Sequence, residues 1–66
     1  MNVVVNGQPF ELADGASAAA AVRLLTSAAS GIAVAVNGQV VRRSAWDSTT
    51  LADGDQVEVL TAVQGG

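Results

Sequence analysis

"VVVNGQ" at Val3 to Gln8 returns as "VAVNGQ" at Val34 to Gln39. In both copies Asn-Gly stands between β-prone runs, the strongest short-range signal for a hairpin. A type I′ turn needs positive φ at both central residues, and Asn and Gly tolerate it. Two hairpins follow: Asn2 to Asn6 with Gln8 to Ala13, and Ile32 to Val36 with Gln39 to Arg42.

Between the hairpins lies "SAAAAVRLLTSAASG". Ser17 suits an N-cap, Ala and Leu favour helix, and Gly31 stands where a C-terminal cap is wanted. Ala18, Ala21, Val22, Leu25 and Ala29 fall on one helical stripe, which should face a sheet. After the second hairpin "SAWDSTTLADGDQ" reads as loop with one short helical turn, closing in the sharp turn Asp53-Gly54-Asp55. "QVEVLTAV" then returns to strand character.

Period two turns Val3, Val5, Phe10, Leu12, Val34, Val36, Val57 and Val59 inward. It turns Val4, Ala35, Val41, Leu60 and Ala62 outward. A right-handed crossover through the helix makes the first and last strands parallel neighbours. The expected fold is α+β: a β-grasp, ubiquitin-like roll in which a mixed five-strand sheet packs on one helix. The domain spans residues 1–63, and residues 64–66 form a tail.

Composition narrows the function. A chain of 66 residues buries only roughly 60 % of its unfolded surface, which leaves little room for a deep cleft. Half the residues are hydrophobic, as in a chain that folds alone. With three Arg, no Lys and a formal charge of −3, no basic stripe is available to track phosphates, so no nucleic acid is expected as partner. The absence of Cys and His leaves no disulfide, thiolate site or imidazole base, and is compatible with a reducing cytoplasm. No apolar run approaches the ~20 residues of a spanning helix, so no membrane association is expected.

Asp53 and Asp55 form the one close acidic pair among Glu11, Asp14, Asp47, Asp53, Asp55 and Glu58. The glycine between them favours a self-capping turn over acid–base chemistry, and the other ligands of a calcium loop are missing. Trp46, after Arg42 and Arg43, could build a stacking or anion site. Covering one end of a small core is the simpler role for it. Ala18 to Ala21 read as a close-packing face rather than a partner-helix face.

The outward apolar residues are either ordinary surface or a docking patch for a larger protein. The tail "QGG" reaches ~10 Å beyond the domain at 3.3–3.6 Å per residue. Gly65 and Gly66 carry no Cβ to clash in a narrow channel. By themselves two glycines are most simply a frayed end; directly after the last strand of such a roll they become far more specific.

From "AVNGQVVRRSAW" through "LADGDQVEVLTAVQGG" the chain resembles the ThiS family of sulfur carriers in thiamine biosynthesis, and "VNGQPFEL" and the helix extend the resemblance over essentially the whole chain. The resemblance implies that Gly66 is adenylated by an E1-like (ThiF-like) enzyme using ATP and magnesium, the chain itself holding no cofactor or metal. It implies conversion to a thiocarboxylate, fed by a donor such as a cysteine desulfurase system. The sulfur then passes to a ThiG-like thiazole synthase. Gly65 gives flexible access, and Leu60, Ala62, Val63 and Gln64 meet the partners. The chain is thus a protein cosubstrate, not an enzyme, and belongs in the cytoplasm.

Gln64 stands where the family often has a small or apolar residue, and Arg42 where relatives often have Pro before Arg43. The alternatives are a carrier like the small subunit of molybdopterin synthase, whose approach to Gly-Gly tends to contain Pro, and a ubiquitin-like binding module that transfers no sulfur.

Overall fold

The computed structural model describes residues 1–28 and 30–61. The strands are β1 (Asn2–Val5), β2 (Gln8–Glu11), β3 (Ile32–Val36), β4 (Gln39–Val41) and β5 (Gln56–Thr61), with helix α1 (Ala18–Leu25) between the hairpins and a 3-10 turn at Arg43–Ala45. They form one sheet in the order β2-β1-β5-β3-β4. β1 runs parallel to β5 at Val4↔Gln56 and Val5↔Val57, and both hairpins and the β3–β5 pair are antiparallel. This is the expected five-strand roll with the first and last strands side by side.

Both Asn-Gly pairs turn as their sequence requires. Asn6 and Asn37 each have φ 51, followed by Gly7 at φ 81 and Gly38 at φ 83. That conformation needs residues with little or no Cβ penalty. The strands end earlier than expected. β2 stops at Glu11, and β4 stops at Val41 because Arg42, extended at φ −66 and ψ 155, leads into the 3-10 turn.

The core joins Val3, Val5, Val34, Val57 and Val59 of the sheet to Ala18, Ala19, Ala21 and Val22 of α1, with Trp46 and Leu51 from the irregular segment. Val3, Val5, Val34 and Val57 are the largest fully buried side chains, each stabilising by roughly 1.5–3 kcal/mol relative to exposure. Phe10, Leu12 and Val36 pack at the margin. Of the expected close-packing run Ala18 to Ala21, Ala18, Ala19 and Ala21 are buried where α1 meets the sheet, and Ala20 is half-buried.

Three local expectations are corrected. Val41 belongs to the helix side: the two-residue turn pairs Val36 with Gln39 and therefore Val34 with Val41, so these two share a face and Val40 points outward. The helix ends at Leu25, six residues before Gly31. Thr26 is extended at φ −156 with its N–H still on the Val22 carbonyl, and its Oγ1 accepts from the Ala28 N–H at 3.0 Å. β-branching and a local hydroxyl bond both favour such a break. Leu25 is consequently 41 % exposed rather than on the packed stripe; Ala29 lies outside the described residues. Ser17 does occupy the N-cap position, but its hydroxyl makes no capping bond. The orphan amides of Ala18 and Ala19 donate instead to the carbonyls of Thr49 at 2.8 Å and Trp46 at 3.3 Å.

Candidate functional site

β5 is the element from which the C-terminal residues continue, and the fold places it in the middle of the sheet. Val57 and Val59 point into the core while Gln56, Glu58 and Leu60 alternate onto the open face. Leu60 is 67 % exposed and pairs with Ala33 on β3. Beyond Ala33 the same face carries Ala35, which lies between Glu58 and Val40. The result is two apolar projections, Leu60 and Val40 at 82 % exposure, separated by small side chains. Val40 was missed in the sequence because Val41 was given its place; the two-residue loop held the signal, since it sets the parity of everything after it. Val4 and Ala35 are half-buried.

The tail positions Gln64, Gly65 and Gly66, and the partner-facing Ala62 and Val63 before them, lie outside the described residues. What the structure describes is their root. Thr61 pairs with Ile32, and the ladder to β3 runs unbroken from there to Val57 opposite Val36. On the other side the β1 ladder is prolonged by a side chain. The Asn6 carboxamide accepts from the Val59 N–H at 2.8 Å and donates to the Val59 carbonyl at 3.0 Å. Asn37 holds the opposite end of β5: its Oδ1 accepts from Gln56 N–H at 3.0 Å and its Nδ2 donates to Asp55 Oδ1 at 3.0 Å.

The Asp53 and Asp55 carboxylates serve the turn. Asp53 accepts from the Asn2 N–H and Asp55 from the Ala52 N–H, both at 2.7 Å. These bonds, the Ala52 amide first and Asn37 second, hold the Asp55 carboxyl below the ordinary aspartate value of 3.8. Trp46 combines both roles considered for it. It is buried, its Nε1 donates to the Val41 carbonyl at 2.8 Å, and the Arg43 guanidinium lies 4.9 Å over its ring. A cleft of ≈ 390 Å³ beside it is lined by Val22, Arg23, Thr26, Arg43, Trp46 and Asp47 among others. Leu60 does not line that cleft, so the face that carries it is separate. No helix among the described residues is long and apolar enough to cross a membrane.

A mixed sheet rolled around one helix, with its central last strand leading to the C-terminal residues, defines a ubiquitin-like β-grasp protein. The ThiS family model matches residues 3–66. The chain is 30 % identical over 66 residues to the sulfur carrier protein ThiS of Escherichia coli, covering all of both chains. It is 38 % identical to the thiamine biosynthesis protein ThiS of Geobacter metallireducens, whose crystal structure superposes with a TM-score of 0.79 over all of both chains. An NMR structure of a thiamine biosynthesis protein from the same organism gives a TM-score of 0.78 at 38 % identity, covering all of this chain and 88 % of that one. The chain belongs to the ThiS family.

Proposed function

We propose that this protein carries sulfur for thiazole formation in thiamine biosynthesis, on the carboxylate of Gly66. The observation that carries the reading is the family match over residues 3–66, which runs through Gly65-Gly66. A carboxylate is a poor electrophile. Attack of its oxygen on the α-phosphorus of ATP, bound with magnesium by an E1-like enzyme, expels pyrophosphate and leaves an acyl-adenylate. Sulfide adds to that carbonyl and displaces AMP directly; where the donor is a cysteine desulfurase system, its persulfide displaces AMP to give an acyl disulfide, and a thiol reductant then cleaves the S–S bond to release the thiocarboxylate. The product is a thiocarboxylate, whose sulfur is a softer and stronger nucleophile than the oxygen it replaced. A thiazole synthase is the acceptor.

This chain supplies no acid–base catalyst to these steps. It supplies presentation: β5 as a rigid root, Gly65 as an unhindered approach, and the Leu60 face, with Ala62, Val63 and Gln64 beyond it, as the surface that partners grip. We assign the carrier to the cytoplasm, where ATP for the activating step is at hand.

Intact mass measured after incubation with the activating enzyme, ATP, magnesium and sulfide tests the reading. The expected result is an oxygen-to-sulfur exchange localised to Gly66. Unchanged mass together with no AMP formation would remove the carrier function and leave a binding module.

A further inference from the structure

The repeated Asn-Gly motif does more than turn the chain, and the carrier reading makes no use of it. Both copies have the same local sequence, "VNGQ", at Val5 to Gln8 and Val36 to Gln39. Both asparagines have the same backbone, φ 51. They differ in what holds the carboxamide. We propose that Asn37 is a site of spontaneous deamidation in the folded protein, while Asn6, with identical neighbours, is protected by the sheet.

The chemistry is intramolecular. The backbone nitrogen of the following glycine, having lost its proton, attacks the asparagine Cγ; a C–N bond forms and the side-chain nitrogen leaves with that proton as ammonia. Water then opens the resulting succinimide at either carbonyl, giving aspartate or isoaspartate. The net change is one water consumed and one ammonia released, with no oxidant or reductant. A following glycine favours the attack because no Cβ obstructs its nitrogen. What opposes it is any contact that must be broken to swing Cγ toward that nitrogen.

At Asn6 both contacts are to the main chain of Val59, a buried residue in the central strand. Releasing the carboxamide leaves an N–H and a C=O of β5 without partners in a part-buried setting, a costly state. At Asn37 both bonds are solvent-exposed, and the one that holds Nδ2 is to the carboxylate of Asp55, itself a side chain. Water replaces these partners at little cost. Conversion at residue 37 also alters the turn: an oxygen replaces the nitrogen that stood 3.0 Å from Asp55 Oδ1, setting two carboxylates against each other where a hydrogen bond had been. Isoaspartate adds a backbone methylene and cannot keep the two-residue turn.

Site-resolved peptide mapping of the protein aged in mildly alkaline buffer, with and without denaturant, tests this. In denaturant the two sites should deamidate at equal rates. In the folded protein Asn37 should convert several-fold faster than Asn6. Asp55→Ala should raise the Asn37 rate and leave Asn6 unchanged, since a general loosening would accelerate both. Asn37→Asp, a stand-in for the product, should lower Tm. Equal folded rates, faster loss at Asn6, unequal rates in denaturant, or an Asn37 rate indifferent to Asp55→Ala would each overturn the assignment.

Discussion

Asn6 and Asn37 each satisfy a backbone demand and a bonding demand with one residue. Glycine meets the first and fails the second. Asn6→Gly keeps the positive φ but deprives Val59 of both its partners, and should cost about 1–3 kcal/mol, read from urea unfolding midpoints. Asp55 works through charge. Its folded pKa is depressed, so its contribution is fully present above the ordinary value of 3.8 and is lost as pH falls through the lower folded value. The Tm of the wild type should therefore fall more steeply below that pH than the Tm of Asp55→Asn; parallel curves would deny the carboxylate its role. Leu60→Asp should leave Tm nearly unchanged, because the residue is 67 % exposed, while weakening capture by the activating enzyme. Unfolding on that substitution would contradict its placement on the open face.

Among the elements, α1 depends least on its own sequence. The amides at its start are met by carbonyls of the 46–50 segment, and Leu51 N–H returns a bond to the Ala16 carbonyl at 2.9 Å. Ser17→Ala should then cost well under the ~1 kcal/mol typical of a lost N-cap, whereas Trp46→Phe, which deletes the bond to Val41, should cost more in the same chemical denaturation series. The two hairpins, the position of the helix and the parallel pairing of β1 with β5 were legible in the sequence, because Asn-Gly, an alanine-rich run and period-two valines each have a local cause. The helix end was not: Gly31 offered a conventional stop, but Thr26 ended the helix earlier through its own extended backbone and hydroxyl. Val40 and Val41 were misassigned for a related reason. Adjacent valines look alike to periodicity, and only the turn length decides which one faces the core. Leu51, deep in the core, sits in a stretch whose Ser, Thr and Asp residues masked it. At the site, exposure of Leu60 was legible from alternation, while the carboxamide bonds to β5 depend on long-range pairing that no local pattern contains.

At the scale of the whole molecule, the described core and the proposed reacting group stand apart along the sequence. Among the described residues every core residue lies between Val3 and Val59, and the proposed reacting carboxylate is at Gly66. Deleting Gly66 should abolish activation, measured as AMP release, while shifting Tm little; a Tm loss comparable to that of a core truncation would show that the last residue belongs to the fold. The position of β5 has a mechanical corollary. A pull on the C-terminal end, along the axis of β5, loads the ladders to β1 and β3 simultaneously and in shear, so their rungs must yield together. An edge strand such as β4, pulled from its free side, would unzip one rung at a time. If the C-terminal end is drawn into one enzyme after another, as the proposed carrier function requires, the domain resists a pull from that end without coming apart.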